Sequence, residues 1–250
     1  MRPVGSERDD HKGLFPASRY SVLMGIRDGD PVLRSRAFAT LAEAYHRPIY
    51  KYLRARWGVS PEDGADLTQE FFATAYEKRY LESHDPSKAR FRTFLKVCLD
   101  RFAAKQHRAD RAQKRGGGAL TLSLDFTRAE AELVGNPPPA SEQLDGFFNA
   151  ELAQSLFGIA LETLRLQCGA AGKETTFRMF EKVALHDEED KPSYADLARE
   201  FGVSTTDVTN RLNYARRELR RIVLDKLREI TGDEDEFRSE ARALLGIDVQ

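Results

Sequence analysis

The chain has 250 residues, 41% hydrophobic and 32% charged, and its 39 basic and 40 acidic side chains leave a net charge of −1. That length suits one large or two ordinary domains, and no apolar run approaches the length of a membrane span. Two isolated cysteines (Cys98 and Cys168, read as buried thiols), scattered histidines, and the want of a nucleophile motif or a Gly-rich phosphate loop in a convincing context argue against an enzyme and against any metal or cofactor.

Residues 1–18 are polar, with no hydrophobic signal core, so a disordered lead and a cytoplasmic location are expected. A helical pattern begins at Tyr20 and is interrupted by the turn signal Asp28–Pro31. It resumes with Phe38, Leu41, Ala42, Tyr45, Ile49, Tyr52 and Leu53 at three- and four-residue spacing as far as Trp57. Pro48 within that run implies a kink or a junction. After a loop at 58–64, the helix Glu62–Tyr80 carries DLTQEFFATAYEK. Leu67, Phe71, Phe72 and Ala75 form its apolar stripe, and Asp66, Gln69, Glu70 and Thr74 lie around it. By spacing alone that polar face is either solvated surface or a docking face for a large protein.

The next segment, RFRTFLKVCLDRFAAKQHRADRAQKR, puts Phe91, Phe94, Leu95, Cys98 and Phe102 on one face and cations on the others. Aromatics interleaved with cations suit a single-stranded nucleic acid, because bases stack on rings while cations track phosphates. Core packing is the competing reading and is preferred for Phe102; Phe91 and Phe94 are the better candidates for base contact. Residues 116–146, with the run Pro137–Pro139 and several acids, read as a flexible, partly extended linker. Helices are expected again from Phe147 and over Thr175–Leu185.

The most informative stretch is Ser193–Leu219. Ser193 with Asp196, and Ser204 with Asp207, make two capping boxes on either side of Gly202, which accepts a positive φ. Leu197, Phe201, Val203, Val208, Leu212, Ala215 and Leu219 close an inner face. Thr205, Thr206, Thr209, Asn210, Arg211, Asn213, Arg216 and Arg217 remain outside it, with no carboxylate until Glu218. Such a helix-turn-helix suits a major groove, where Asn and Thr read base edges and Arg holds phosphates. A small amphipathic helix with Phe237, Ala241, Leu244 and Leu245 follows Gly232. The balanced net charge, with basic surfaces at Lys88–Arg115 and in the recognition helix, fits a protein that engages DNA with the help of a partner.

In their order, DLTQEFFATAY, the RFRTFLKVCLDRF…RAQKR block and YADLAREFGVSTTDVTNRLNYARREL make the chain resemble a bacterial RNA polymerase sigma factor of the extracytoplasmic-function type, in the sigma-70 family. The resemblance covers roughly residues 30–225. It implies an all-α protein of two helical domains: a region 2-like domain over 19–115 and a region 4-like domain over 147–230, joined by the linker 116–146 and followed by a C-terminal extension at 231–250. It further implies that Asp66, Gln69, Glu70 and Phe72 face the clamp of the polymerase β′ subunit, with the β flap a further contact. Phe91, Arg92, Phe94, Lys96, Arg101, Lys105 and Arg108 would meet the −10 element. Thr205, Thr209, Asn210 and Asn213 would read −35 bases, with Arg211, Arg216 and Arg217 on the backbone. Thr68 and Ala65 stand where the family carries an aliphatic and an acidic residue, and Arg101 where it carries Asn. Thr68 is therefore a candidate for phosphorylation by a Ser/Thr kinase that restores the missing charge; an anti-sigma factor is the other expected regulator. The competing functional reading is a stand-alone dimeric helix-turn-helix regulator.

Overall fold

The computed structural model describes residues 22–109, 124–139, 143–184 and 191–249. The N-terminal lead, the cations Arg111, Lys114 and Arg115, part of the linker and Asp187–Asp190 lie outside the described residues. The protein is all-α, with no strand among the described residues.

Helix boundaries follow local chemistry. A short α1 (Val22–Gly25) precedes α2 (Pro31–Trp57), whose start is capped by the Asp30 carboxylate accepting from Val32 N. The long helix runs on through Pro48. Proline has no N–H to give the carbonyl four residues back, and Ser155 Oγ donates to that carbonyl, Ala44 O, at 2.8 Å. Ser60 caps α3 (Pro61–Lys78), and a 3-10 turn at Tyr80–Ser83 leads to α4 (Phe91–Ala109). Within the segment expected as a linker, Thr127–Gly135 form a helix, α5. There follow α6 (Leu144–Ala170), α7 (Glu174–Ala184), α8 (Tyr194–Phe201), α9 (Thr205–Glu229) and α10 (Glu234–Leu245).

Two large apolar cores result. The first joins α1 to α4 with the N-terminal half of α6 (Leu144, Phe148, Leu152, Leu156), the end of α9 (Leu227, Ile230) and α10 (Phe237, Ala241). The second joins the C-terminal half of α6 (Ala160, Leu164, Cys168) to α7, α8 and most of α9. The C-terminal extension thus packs back on α9 and α6 and also reaches the first core. Cys168 is buried and Cys98 half-buried, and burial raises both thiols.

α5 docks on α2 by charge as much as by packing. Phe126 stacks on Tyr50 with ring centres 4.7 Å apart. Glu130 accepts from Tyr50 Oη at 2.5 Å and pairs with Arg54 at 2.7 Å. Lys51, only 2% exposed, meets Glu132 at 2.7 Å and Glu151 of α6 at 2.6 Å. Burying a charge is costly unless it is paired, and here two carboxylates meet the ammonium.

Candidate polymerase and nucleic-acid interfaces

On α3 the expected face divides. Asp66, Gln69 and Glu70 are exposed, and Glu70 accepts a hydrogen bond from Gln106 Nε2 of α4. Phe72 is fully buried, its ring edge-on to Phe38 at 6.1 Å and to Phe71 at 5.6 Å, so it supports the face from within and is not a contact residue. Thr68 is fully buried as well, and its Oγ1 donates to Gly64 O at 2.7 Å. A kinase needs that hydroxyl in solvent; here a backbone carbonyl holds it, as helical threonines commonly arrange, and phosphorylation at Thr68 is not supported.

On α4 the expected nucleic-acid residues also divide. Phe91 is buried, edge-on to Tyr45 at 5.9 Å and to His84 at 5.2 Å. Its expected place on a base is thereby corrected to the core. Arg92 is 9% exposed, and its Nε meets Glu240 of α10 at 3.0 Å. Phe94 is half-buried against His84 at 5.3 Å. Lys96 pairs with Asp145 of α6 and lies 5.8 Å from the Phe148 ring centre. Arg101, Lys105 and Arg108 are exposed further along the helix.

Three groups that sequence reasoning overlooked complete the start of α4. Phe91 N donates to Glu236 Oε1 at 2.5 Å, and the other oxygen of Glu236 accepts from Gly232 N at 2.7 Å. Arg90 Nε lies 3.4 Å from Glu240. Burial pushes the Glu240 carboxyl above its usual range, against the pull of Arg92 and Arg90. The signal was in the sequence: Glu236 and Glu240 are four apart and each directly precedes a residue of the apolar stripe, Phe237 and Ala241, so both must lie at its edge.

The α8–α9 pair is built from its own residues. Ser193 Oγ accepts from Asp196 N at 3.1 Å, and Gly202 closes α8 at φ 64°. Ser204 Oγ accepts from Asp207 N at 3.0 Å while Asp207 accepts from Ser204 N at 3.3 Å. Each serine hydroxyl also donates to its aspartate carboxylate, Ser193 to Asp196 Oδ2 at 2.6 Å and Ser204 to Asp207 Oδ2 at 2.7 Å, and these bonds are the largest cause holding both carboxyls below the usual range. Val208, Leu212 and Ala215 are fully buried, which turns Thr205, Thr209, Asn210, Asn213, Arg216 and Arg217 outward, all exposed. Arg211 is half-buried and reaches Thr176 of α7 at 3.4 Å.

The described residues thus present one acidic, amide-bearing helix face on α3 and cationic side chains on α4 and α9. Residues 41–113, which run from within α2 through α4 into the basic run, match the family model Sigma-70 region 2. Over that stretch the chain is similar to sigma-70 factors, a family whose members bind RNA polymerase and promoter DNA in transcription initiation. Comparisons with the curated proteins and with the solved structures gave no match. No helix among the described residues is long and apolar enough to cross a membrane.

Proposed function

We propose that the chain is a sigma factor of the extracytoplasmic-function type, with region 2 work in residues 19–115 and region 4 work in residues 147–230. Asp66, Gln69 and Glu70 dock on the β′ clamp. Phe94, Lys96, Arg101, Lys105 and Arg108, joined by Arg92 once it is released from Glu240, meet the −10 element and its opened strand. Thr205, Thr209, Asn210 and Asn213 read −35 bases while Arg216 and Arg217 hold the backbone; Arg211 has a smaller share because it is tied to Thr176.

The observation that carries this reading is the outward face of α9. Its hydrogen-bonding and cationic side chains are all exposed, on a helix whose first turn is capped from within, later in the same chain than a region 2 match. Major-groove helices use such a surface. Run-off transcription with purified core polymerase on a library of host upstream DNA tests it. Specific transcripts that vanish with Asn213→Ala/Arg216→Ala are expected. Tight operator binding as a dimer without polymerase, and no transcripts with it, would transfer the chain to the stand-alone regulators.

A further inference from the structure

The first turn of α4 is where region 2 work begins in the reading above, and it is covered by another part of the same chain. α10 reaches it with two carboxylates. Glu236 accepts from the Phe91 N–H, the donor that a helix start leaves without an intrahelical partner. Glu240 lies at 3.0 Å from Arg92 and 3.4 Å from Arg90. These are the groups a nucleic-acid phosphate would take: a helix N-terminus and two guanidiniums.

We infer that α10 is an internal stand-in for the nucleic-acid backbone, whose Glu236 and Glu240 occupy the phosphate-binding start of α4 and keep the free chain from engaging DNA there.

The inference rests on the proposed function of α4 and adds its regulation. Three further observations support it. Arg92 Nη1 is buried without a hydrogen-bond partner, so the pairing with Glu240 leaves one donor of the guanidinium unused. Glu240 is only 4% exposed in its side chain and burial works against its charge, so the contact is held at a desolvation cost that its release recovers. The turn that launches α10 is pressed onto region 2: a Cβ on Gly232 would come within 3.1 Å of Glu236 Oε2 and 3.6 Å of Pro86. Meanwhile Asp66, Gln69 and Glu70 stay exposed, so polymerase docking is open in the free chain while phosphate contact at the start of α4 is closed.

The test keeps α10 in place, because Phe237 and Ala241 belong to the core and a truncation would open it. Full-length Glu236→Gln/Glu240→Gln is compared with wild type and with Glu234→Gln/Asp235→Asn, which makes the same charge change on exposed positions of the same helix. Fluorescence anisotropy with a labelled single strand of mixed sequence, at low salt and without polymerase, reads the affinity. The first variant should bind about tenfold tighter than wild type and the second should not, since the recovered contacts are local charge contacts to phosphate. Equal gains in both variants, or none in either, overturn the inference. Glu240→Gln alone, which leaves the Glu236 bonds intact, serves if the double variant does not fold; it should bind severalfold tighter, and unchanged binding overturns the inference equally. Run-off transcription with core polymerase separates the two levels. Transcripts from wild type with no affinity gain in the variants leave the proposed function standing and remove the inference. No transcripts and no polymerase binding by any form remove both.

Discussion

The two cationic helices of this molecule begin in opposite ways. α9 satisfies its own first turn with Ser204 and Asp207, three residues apart, and turns its polar face to solvent. α4 has no acidic residue in its first turn and takes a carboxylate from Glu236, 145 residues away in sequence. A locally capped helix keeps its shape and its face whatever the rest of the chain does. A helix capped from a distance changes its surface whenever the distant element moves. In the proposed function the first is a fixed reader and the second a conditional one.

Removing Arg92 should break the contrast most severely. Arg92→Ala leaves the buried Glu240 with Arg90 at 3.4 Å in place of its closer partner, and urea unfolding should show a loss of about 3 kcal/mol, the lower end for a broken buried pair because Arg90 remains and Glu240 can take up a proton. Ser204→Ala removes only a local cap and should cost about 1 kcal/mol, with no change in hydrogen exchange around Phe91. The docking of α5 on α2 is of the conditional kind and responds to acid. Arg54 holds the Glu130 carboxyl below its ordinary value of 4.5, so the stability this contact gives is fully present above that pH and is lost as pH falls through the lowered value. Urea midpoints of wild type and Glu130→Gln should therefore differ at neutral pH and converge in acid. Arg216→Ala is the mildest change. The side chain is exposed, with Tyr194 Oη 3.5 Å away as its partner, and stability should stay within about 0.5 kcal/mol while DNA affinity falls.

How far the sequence revealed this molecule depended on the range of the interactions. The caps at Ser193 and Ser204, the Gly202 turn and the outward face of α9 are contacts between residues a few positions apart, and all were legible. The stripe of α3 was legible too, and spacing put Phe72 in it; it was the resemblance that turned Phe72 to the clamp and Thr68 to a kinase, whereas both are buried. The helix at Thr127–Gly135 was hidden behind the neighbouring proline run, although Ala129, Glu130, Ala131, Glu132 and Leu133 all favour helix. Its partners Tyr50, Lys51 and Arg54 lie about 80 positions away. Glu236 on Phe91 is longer-range still: its place beside Phe237 puts it at the edge of an apolar stripe, but no local rule says that α4 is what it meets.

α6 carries one further consequence. Its 27 residues make a rod about 40 Å long, and its first half is sealed into one core while its second half is sealed into the other. Neither core can melt without stripping a flank of the same rod, so heat should meet a single cooperative object. The emission of Trp57, the only tryptophan, which sits against the first core, and the helical ellipticity of the whole chain should then trace one superimposable transition.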